Sequence, residues 1–204
     1  MNIQKMGAEH SIDVDLLPEV PVVLDVGCRG YEFDHEILKI RPRAKIIAVD
    51  PDPEIHAPED TRIFFLRLAI TELPATSVKW QGPGEGSYIC DVPSGYGWGG
   101  GSPVNVHNST IPALMKQLGI EHFDVVKLDC ESSEFGILSL WPGPIATQIS
   151  VEFHDCMDRE RWNDAYFEKL FAGPLKDYNV ALFGLTPLGP GNTMGHWDSL
   201  FVLK

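Results

Sequence analysis

Val22-Val23-Leu24-Asp25-Val26 is a short run of β-branched and apolar residues that breaks abruptly into Gly27-Cys28-Arg29-Gly30. Successive side chains of a strand point to opposite faces, so an unbroken apolar run predicts a strand covered on both of them. A parallel or mostly parallel sheet with layers packed on either side supplies that environment. Runs of the same kind recur at Lys45–Val49, Arg62–Leu68, Phe123–Asp129 and Ile149–Glu152. Each is separated from the last by room for a helix or a long connection, the rhythm of right-handed βαβ units.

The intervening segments carry helix signals. Phe33, Ile37, Leu38 and Ile40 place apolar residues on a helix over 33–40 that stops before Pro42. Thr110–Leu118 reads as a second helix, with Ser109 or Thr110 as its cap and Pro112 in its first turn. Glu134–Leu140 is a short third. Arg159–Phe171 is a fourth, capped by Asp158, striped by Trp162, Ala165, Tyr166 and Leu170, and closed by Gly173-Pro174. Asn179–Phe183 and Ser199–Leu203 are the last two strands. The connection between them, Leu185–Asp198, is too short and too rich in Gly and Pro for a helix, so an antiparallel hairpin is expected.

With 44% hydrophobic and 22% charged residues, 204 residues suffice for one domain with a sizeable core. The expectation is a single domain over 1–204, with 1–20 as an N-terminal extension and 82–101 as a loop dense in glycine. That loop carries Tyr88, Tyr96 and Trp98 and is read either as a lid over an acceptor or as a surface loop tucked down by its aromatics. Residues 1–20 contain no continuous apolar region of the signal-peptide kind, and no apolar run approaches the ~18 residues that span a bilayer, so a cytoplasmic chain with no membrane partner is expected. The formal net charge of −13 repels phosphate backbones, which argues against a nucleic-acid partner and for a cationic ligand. Cys28, Cys90, Cys130 and Cys156 form no CxxC pair and read as reduced thiols.

Ligands of open parallel sheets bind beyond the carboxyl ends of the strands. Those ends deliver Asp25, Gly27, Cys28, Arg29 and Gly30 from the first run, Asp50 and Asp52 from the second, and Ala69 after the third. The fourth leads to Asp129 and Glu131, and the fifth to Glu152, His154 and Asp155. Asp25 to Gly30 is a glycine turn entering a helix but not the full GxGxxG of a pyrophosphate site. Asp50, at the end of the next strand, stands where a carboxylate accepts both hydroxyls of an adenosine ribose. Together they favour a nucleoside-containing cofactor over a plain turn.

Val23-Leu24-Asp25-Val26-Gly27-Cys28-Arg29-Gly30 and Ala48-Val49-Asp50-Pro51-Asp52-Pro53-Glu54 resemble the first two motifs of the FkbM-like family of S-adenosylmethionine-dependent methyltransferases. Phe123-Asp124-Val125-Val126-Lys127-Leu128-Asp129-Cys130-Glu131-Ser132-Ser133-Glu134 is similar to that family's D-x-x-K-x-D-x-E-G-x-E signature, with Ser132 in place of the glycine, and Val151-Glu152-Phe153-His154 to its E-x-H. The resemblance runs from about Val22 to the C-terminus. It implies an α/β, single-domain, Rossmann-like class I methyltransferase fold, with a seven-stranded, mostly parallel sheet and an antiparallel last strand. It further implies S-adenosylmethionine as cofactor and O-methylation of a small-molecule hydroxyl, such as that of a saccharide or secondary metabolite.

On those positions Gly27 and Gly30 pack against the methionine portion, Arg29 reaches its carboxylate and Asp50 holds the ribose. Asp25 anchors the turn or reaches the amine, and Ala69 lies by the adenine; Cys28, Asp52 and Asp129 complete the cofactor site. An acceptor hydroxyl must lose a proton, and His154, whose ordinary pKa lies near neutrality, is the first candidate base, with Asp129 second. The alternative for His154 is a hydrogen-bonded corner residue. Glu131, Glu152, Tyr96 and Trp98 are candidate acceptor contacts. Asp129, Glu152 and His154 offer the ligand types of a divalent metal, a reading ranked below the metal-free one. Lys127 is expected to neutralise the acidic edge. Competing readings are a non-catalytic cofactor- or partner-binding protein and an NAD-dependent oxidoreductase, although the latter normally needs the fuller glycine fingerprint.

Overall fold

The computed structural model describes residues 1–7, 9–83, 86–91, 101–131, 133–154, 164–187 and 195–204. The chain opens with a ribbon of β1 (Ile3–Met6) and β2 (His10–Asp13), then runs through β3 (Val22–Val26), α1 (Glu32–Ile40), β4 (Lys45–Val49) and β5 (Ile63–Leu66). The strands β6 (Ala69–Ile70), β7 (Ser77–Gln81), β8 (Tyr88–Ile89) and β9 (Val104–Ser109) precede α2 (Ile111–Leu118), β10 (Phe123–Leu128) and α3 (Ser133–Ser139). Last come β11 (Ala146–His154), α4 (Asp164–Ala172), β12 (Tyr178–Pro187) and β13 (Gly195–Leu203).

The main sheet has seven strands in the order β12-β13-β11-β10-β3-β4-β5. Pairs from β11 through β5 are parallel, whereas β13 is antiparallel to both β11 and β12. The strand order reverses between β3 and β10, so their carboxyl ends open the crevice in which such sheets bind ligands. The unbroken apolar runs are explained by the two cores. Leu24, Ile47, Val126 and Ile149 enter one with Leu114 of α2, Phe135 of α3 and Leu170 of α4. Val23, Ile46, Ala48 and Val125 enter the other with Phe33 and Ile37 of α1 and with Met6 and Ile12 of the ribbon.

Local signals set the helix ends. The Thr110 hydroxyl accepts from the Ala113 N–H, and α2 ends on Gly119 at φ +67°, where a side chain would strain the backbone. α1 terminates at Arg41, immediately before Pro42. α3 covers Ser133–Ser139, one residue earlier than expected at each end, and α4 is described from Asp164, so the start expected at Arg159 and the Asp158 cap lie outside the described residues.

Two features differ from the sequence reading. The N-terminal residues form a ribbon that closes one face of the sheet. Gln148, fully buried on β11, accepts from the Asp13 N–H at 2.6 Å and donates to the Asp13 carbonyl at 3.0 Å. This reciprocal pairing satisfies a polar side chain that would otherwise be costly inside, and β11 accordingly begins at Ala146 rather than Ile149. The second difference is a four-stranded sheet in the order β6-β9-β7-β8. Ala69, Val78, Trp80 and Ile89 form its own small core. Its strands are half exposed, so they lack long apolar runs, but the alternation of Val78 and Trp80 between polar neighbours carried the signal.

Gly27 holds the turn after β3 at φ +80°, and a Cβ there would lie 1.7 Å from the Asp129 carbonyl oxygen. Gly30 has almost the same φ, +79°, and a Cβ there would meet nothing within 4 Å among the described residues. Gly27→Ala should therefore cost at least ~3 kcal/mol and Gly30→Ala ~1 kcal/mol, since only the first adds backbone collision to conformational strain. Denaturant unfolding of the two variants checks this; equal losses would show that contact with Asp129 does not set the glycine.

Candidate functional site

A cavity of about 720 Å³ opens beyond the carboxyl ends of the parallel strands. Gly27, Arg29, Gly30, Asp50, Asp52, Ala69, Asp129, Glu131, Glu152 and His154 all line it. Tyr96 and Trp98 lie outside the described residues, as do Ser132, Asp155 and Cys156. Asp25 and Cys28 do not face the main cavity; they border a smaller recess of about 100 Å³ with His10 and Lys127. Direct contact of the Asp25 and Cys28 side chains with a ligand in the main cavity is thus not what the geometry offers, because both are sealed under the β3 turn.

Asp25 instead anchors that turn. It stands opposite Lys127 in the β3–β10 register, and the Lys127 ammonium lies 3.0 Å from its carboxylate and 3.2 Å from that of Asp129. The same ammonium donates to the Gly27 carbonyl at 2.6 Å. Burial works against a charged lysine, but Asp129 and Asp25 outweigh it and hold the ammonium above its ordinary range. Burial likewise opposes the Asp129 carboxylate, yet Lys127 and then His10 and His154 pull it well below the usual carboxylate range.

Behind Asp25, the fully buried Asp34 of α1 is pushed up to about 9, chiefly by burial and then by the Asp25 charge and hydrogen bond. Near neutral pH it is a carboxylic acid donating to Asp25, which reconciles two carboxyl groups in one dry pocket.

His154, at the end of β11, is ringed by carboxylates. Its Nδ1 lies 3.0 Å from Glu134, and its Nε2 lies 3.6 Å from Glu152, 3.7 Å from Glu131 and 3.8 Å from Asp129. Burial disfavours the charged ring, but Glu134 and then Glu131 and Asp129 hold it well above its ordinary value. These carboxylates favour the charged form of the ring, in which both nitrogens are donors. His154, the first candidate base, thus lines the cavity in surroundings that favour its proton-bearing form. Glu134 is itself fixed, accepting from the Cys130 N–H at 2.7 Å. Glu131 sits at φ +52°, in the left-handed region, where the chain turns from β10 toward α3, and its carboxylate accepts from the Gly86 N–H at 3.1 Å.

Across the cavity, Asp50 accepts from the Asp52 N–H at 2.9 Å through one carboxylate oxygen. Burial pushes Asp50 up to about 6, a rise partly offset by that hydrogen bond. Trp80, Tyr88 and Ile89 of the second sheet, with the adjoining Ser87, complete the wall. Sequence reasoning missed Trp80 as a lining residue and missed His10 altogether. His10 Nδ1 lies 3.1 Å from Ser150 Oγ, a pairing across 140 residues that no local pattern announces.

No family model matches the chain, and no curated protein matches it. Solved structures do. The fibrillarin pre-rRNA processing protein of Methanococcus jannaschii aligns with a TM-score of 0.50 at 10% identity, over 91% of this chain and 67% of that one. The TrmK of M. capricolum, in complex with S-adenosyl-homocysteine, aligns at 0.48 and 10% identity over 94% and 66%, so this chain spans about two thirds of either protein. The precorrin-6y C5,15-methyltransferase of Geobacter metallireducens GS-15 aligns at 0.46 and 10% identity over 94% and 85%. The likeness to the first of these shows the fold alone, a Rossmann-like α/β sheet. Among the described residues no helix is long and apolar enough to cross a membrane.

The Asp34–Asp25 pair yields a stability prediction. A carboxyl group titrating near 9 when folded and near ~4 when unfolded holds a proton between those values that the unfolded chain lacks. Stability should fall as pH rises through that window, by roughly 1.4 kcal/mol per unit from this group. Asp34→Asn keeps the donor to Asp25 and removes the titration. The variant should melt higher than the wild-type chain at pH 8, with the gap closing toward pH 5; parallel melting curves would show that no proton is shared.

Proposed function

We propose that this protein is an S-adenosylmethionine-dependent methyltransferase of the FkbM-like type, transferring the methyl group to a hydroxyl of a small molecule. The observation that carries the reading is the pairing, across one cavity, of the Gly27–Gly30 turn with the Asp50 carboxylate at the ends of adjacent parallel strands. One Asp50 oxygen is engaged by the Asp52 N–H, which orients the carboxylate to accept from ribose hydroxyls. Arg29 lines the same rim and supplies a cation for the methionine carboxylate. Apolar Leu68, Ala69 and Ile70 offer a surface for the adenine. The carboxylates beyond suit a sulfonium, and no phosphate cradle is needed.

Methyl transfer is an in-line displacement in which most of the protein's contribution is alignment of acceptor oxygen, methyl carbon and sulfur. The acceptor oxygen becomes strongly acidic as the new bond forms, so an ionised carboxylate suffices to take its proton. Asp129 and Glu131 stand at that end of the cavity, and Asp129 passes ahead of His154 as the proton acceptor. His154, whose charged form Glu134 favours, positions the acceptor as a hydrogen-bond donor. Trp80 and Tyr88 provide the flat faces against which a sugar ring or polycyclic acceptor can stack. A net charge of −13 favours a small neutral or cationic acceptor over a polyanionic one.

Calorimetry with S-adenosylhomocysteine and with NAD tests the cofactor. The nucleoside thioether should bind and NAD should not; the reverse result would overturn the reading. Asp50→Ala should weaken binding by ~1–3 kcal/mol, the loss of a buried hydrogen-bond acceptor. Because Asp50 titrates near 6, affinity should hold above that pH and fall below it, as the carboxyl group loses acceptor capacity on protonation. A flat profile between pH 5 and 8 would remove Asp50 from the ribose.

A further inference from the structure

His10 is 5% exposed, and among the described residues its Nε2 has no hydrogen-bond partner. That nitrogen points at Asp129 Oδ2 from 3.5 Å, too far for a good N–H···O bond. The spacing suits something else. Two ligand atoms sharing an ion at about 2.1 Å, with a tetrahedral angle between them, lie about 3.4 Å apart. Glu152 completes the set: ligand atoms of His10, Asp129 and Glu152 all lie within 4.8 Å of one another.

We propose that His10, Asp129 and Glu152 form a binding site for one divalent transition-metal ion of the Mn²⁺ to Zn²⁺ class. An imidazole with two carboxylates is a mixed nitrogen and oxygen donor set, which suits these ions better than Ca²⁺ or a soft cuprous ion. His10 is supported from behind, as metal-binding histidines are. Its Nδ1 lies 3.1 Å from Ser150 Oγ, and that oxygen also accepts from the Ser11 N–H at 3.2 Å, so ribbon and sheet together fix the ring. Asp129 is oriented by Lys127, whose charge is shared with Asp25. Asp129 borders both the main cavity and the recess beneath, while Glu152 faces the cavity and His10 the recess. The ion would therefore sit on the floor of the cavity with its remaining coordination positions toward the acceptor space.

The ion's use in orienting an acceptor hydroxyl rests on the methyl-transfer reading, whereas its binding does not. The full chain, stripped with a chelator, is titrated with Mn²⁺ while the paramagnetic resonance of free Mn²⁺ is followed, and Zn²⁺ is then added in competition. One ion per chain is expected. His10→Ala and Glu152→Gln should each weaken binding at least ~10-fold, and Ser150→Ala by ~10-fold through the freed imidazole. Asp50→Asn should retain the ion while losing nucleoside binding, so the two readings fail separately. Nitrogen NMR of the His10 ring in the wild-type chain needs no variant, and Zn²⁺ should shift its Nε2 resonance. No retained ion at millimolar Mn²⁺ or Zn²⁺, undiminished binding by His10→Ala, or an unmoved His10 resonance would each overturn the proposal.

Discussion

A buried ammonium holds the centre of this molecule together. Lys127 bridges Asp25 and Asp129 and donates to the Gly27 carbonyl, so one side chain ties β3 to β10 where the strand order reverses. Taking such charges out of water is costly, and only close mutual pairing offsets it. The arrangement is correspondingly intolerant of losing a partner, because a stranded buried charge costs ~3–5 kcal/mol. Its geometric product is the glycine turn, pressed so close to the Asp129 backbone that no side chain fits at Gly27.

Around that bridge the molecule sorts its acids into different states by environment. Asp129 is held ionised by neighbouring cations, while Asp34, in a dry pocket beside a second carboxylate, keeps its proton. In the metal-free chain Glu152 is pushed up to about 9 by burial and by the Asp129 charge, even though His154 lies 3.6 Å away. The acids encircling His154 in turn favour its charged form. Identical side-chain chemistry thus supplies anchors, neutral donors and anionic acceptors within one crevice, the differentiation that active sites exploit.

Much of the frame was legible beforehand because it rests on short-range rules. Lys45–Val49 is a strand covered on both faces and shows the expected unbroken run; α2 begins at a capping threonine and ends at a left-handed glycine. Asp50, Asp129, Glu131, Glu152 and His154 were identifiable as candidates because strand ends in a parallel sheet converge on one edge whatever the loops do. The second sheet was not, since β7 and β9 pair across a long glycine-dense segment and expose much of their surface. Trp80 consequently reached the cavity wall from a segment with no assigned role.

The sequence by itself determined the doubly covered parallel sheet, the position of its glycine turn and the acidic character of the edge where the strands end. Periodicity, capping and strand polarity are properties of neighbours along the chain. Tertiary structure alone decided which of those acids are charged, because ionisation depends on burial and on groups far away in sequence. It also brought the N-terminal ribbon onto the sheet, placing His10 against Ser150 and Asp129. A histidine in a short polar segment carries no sign of such a destination; the contact exists only once burial of Met6 and Ile12 has docked the ribbon.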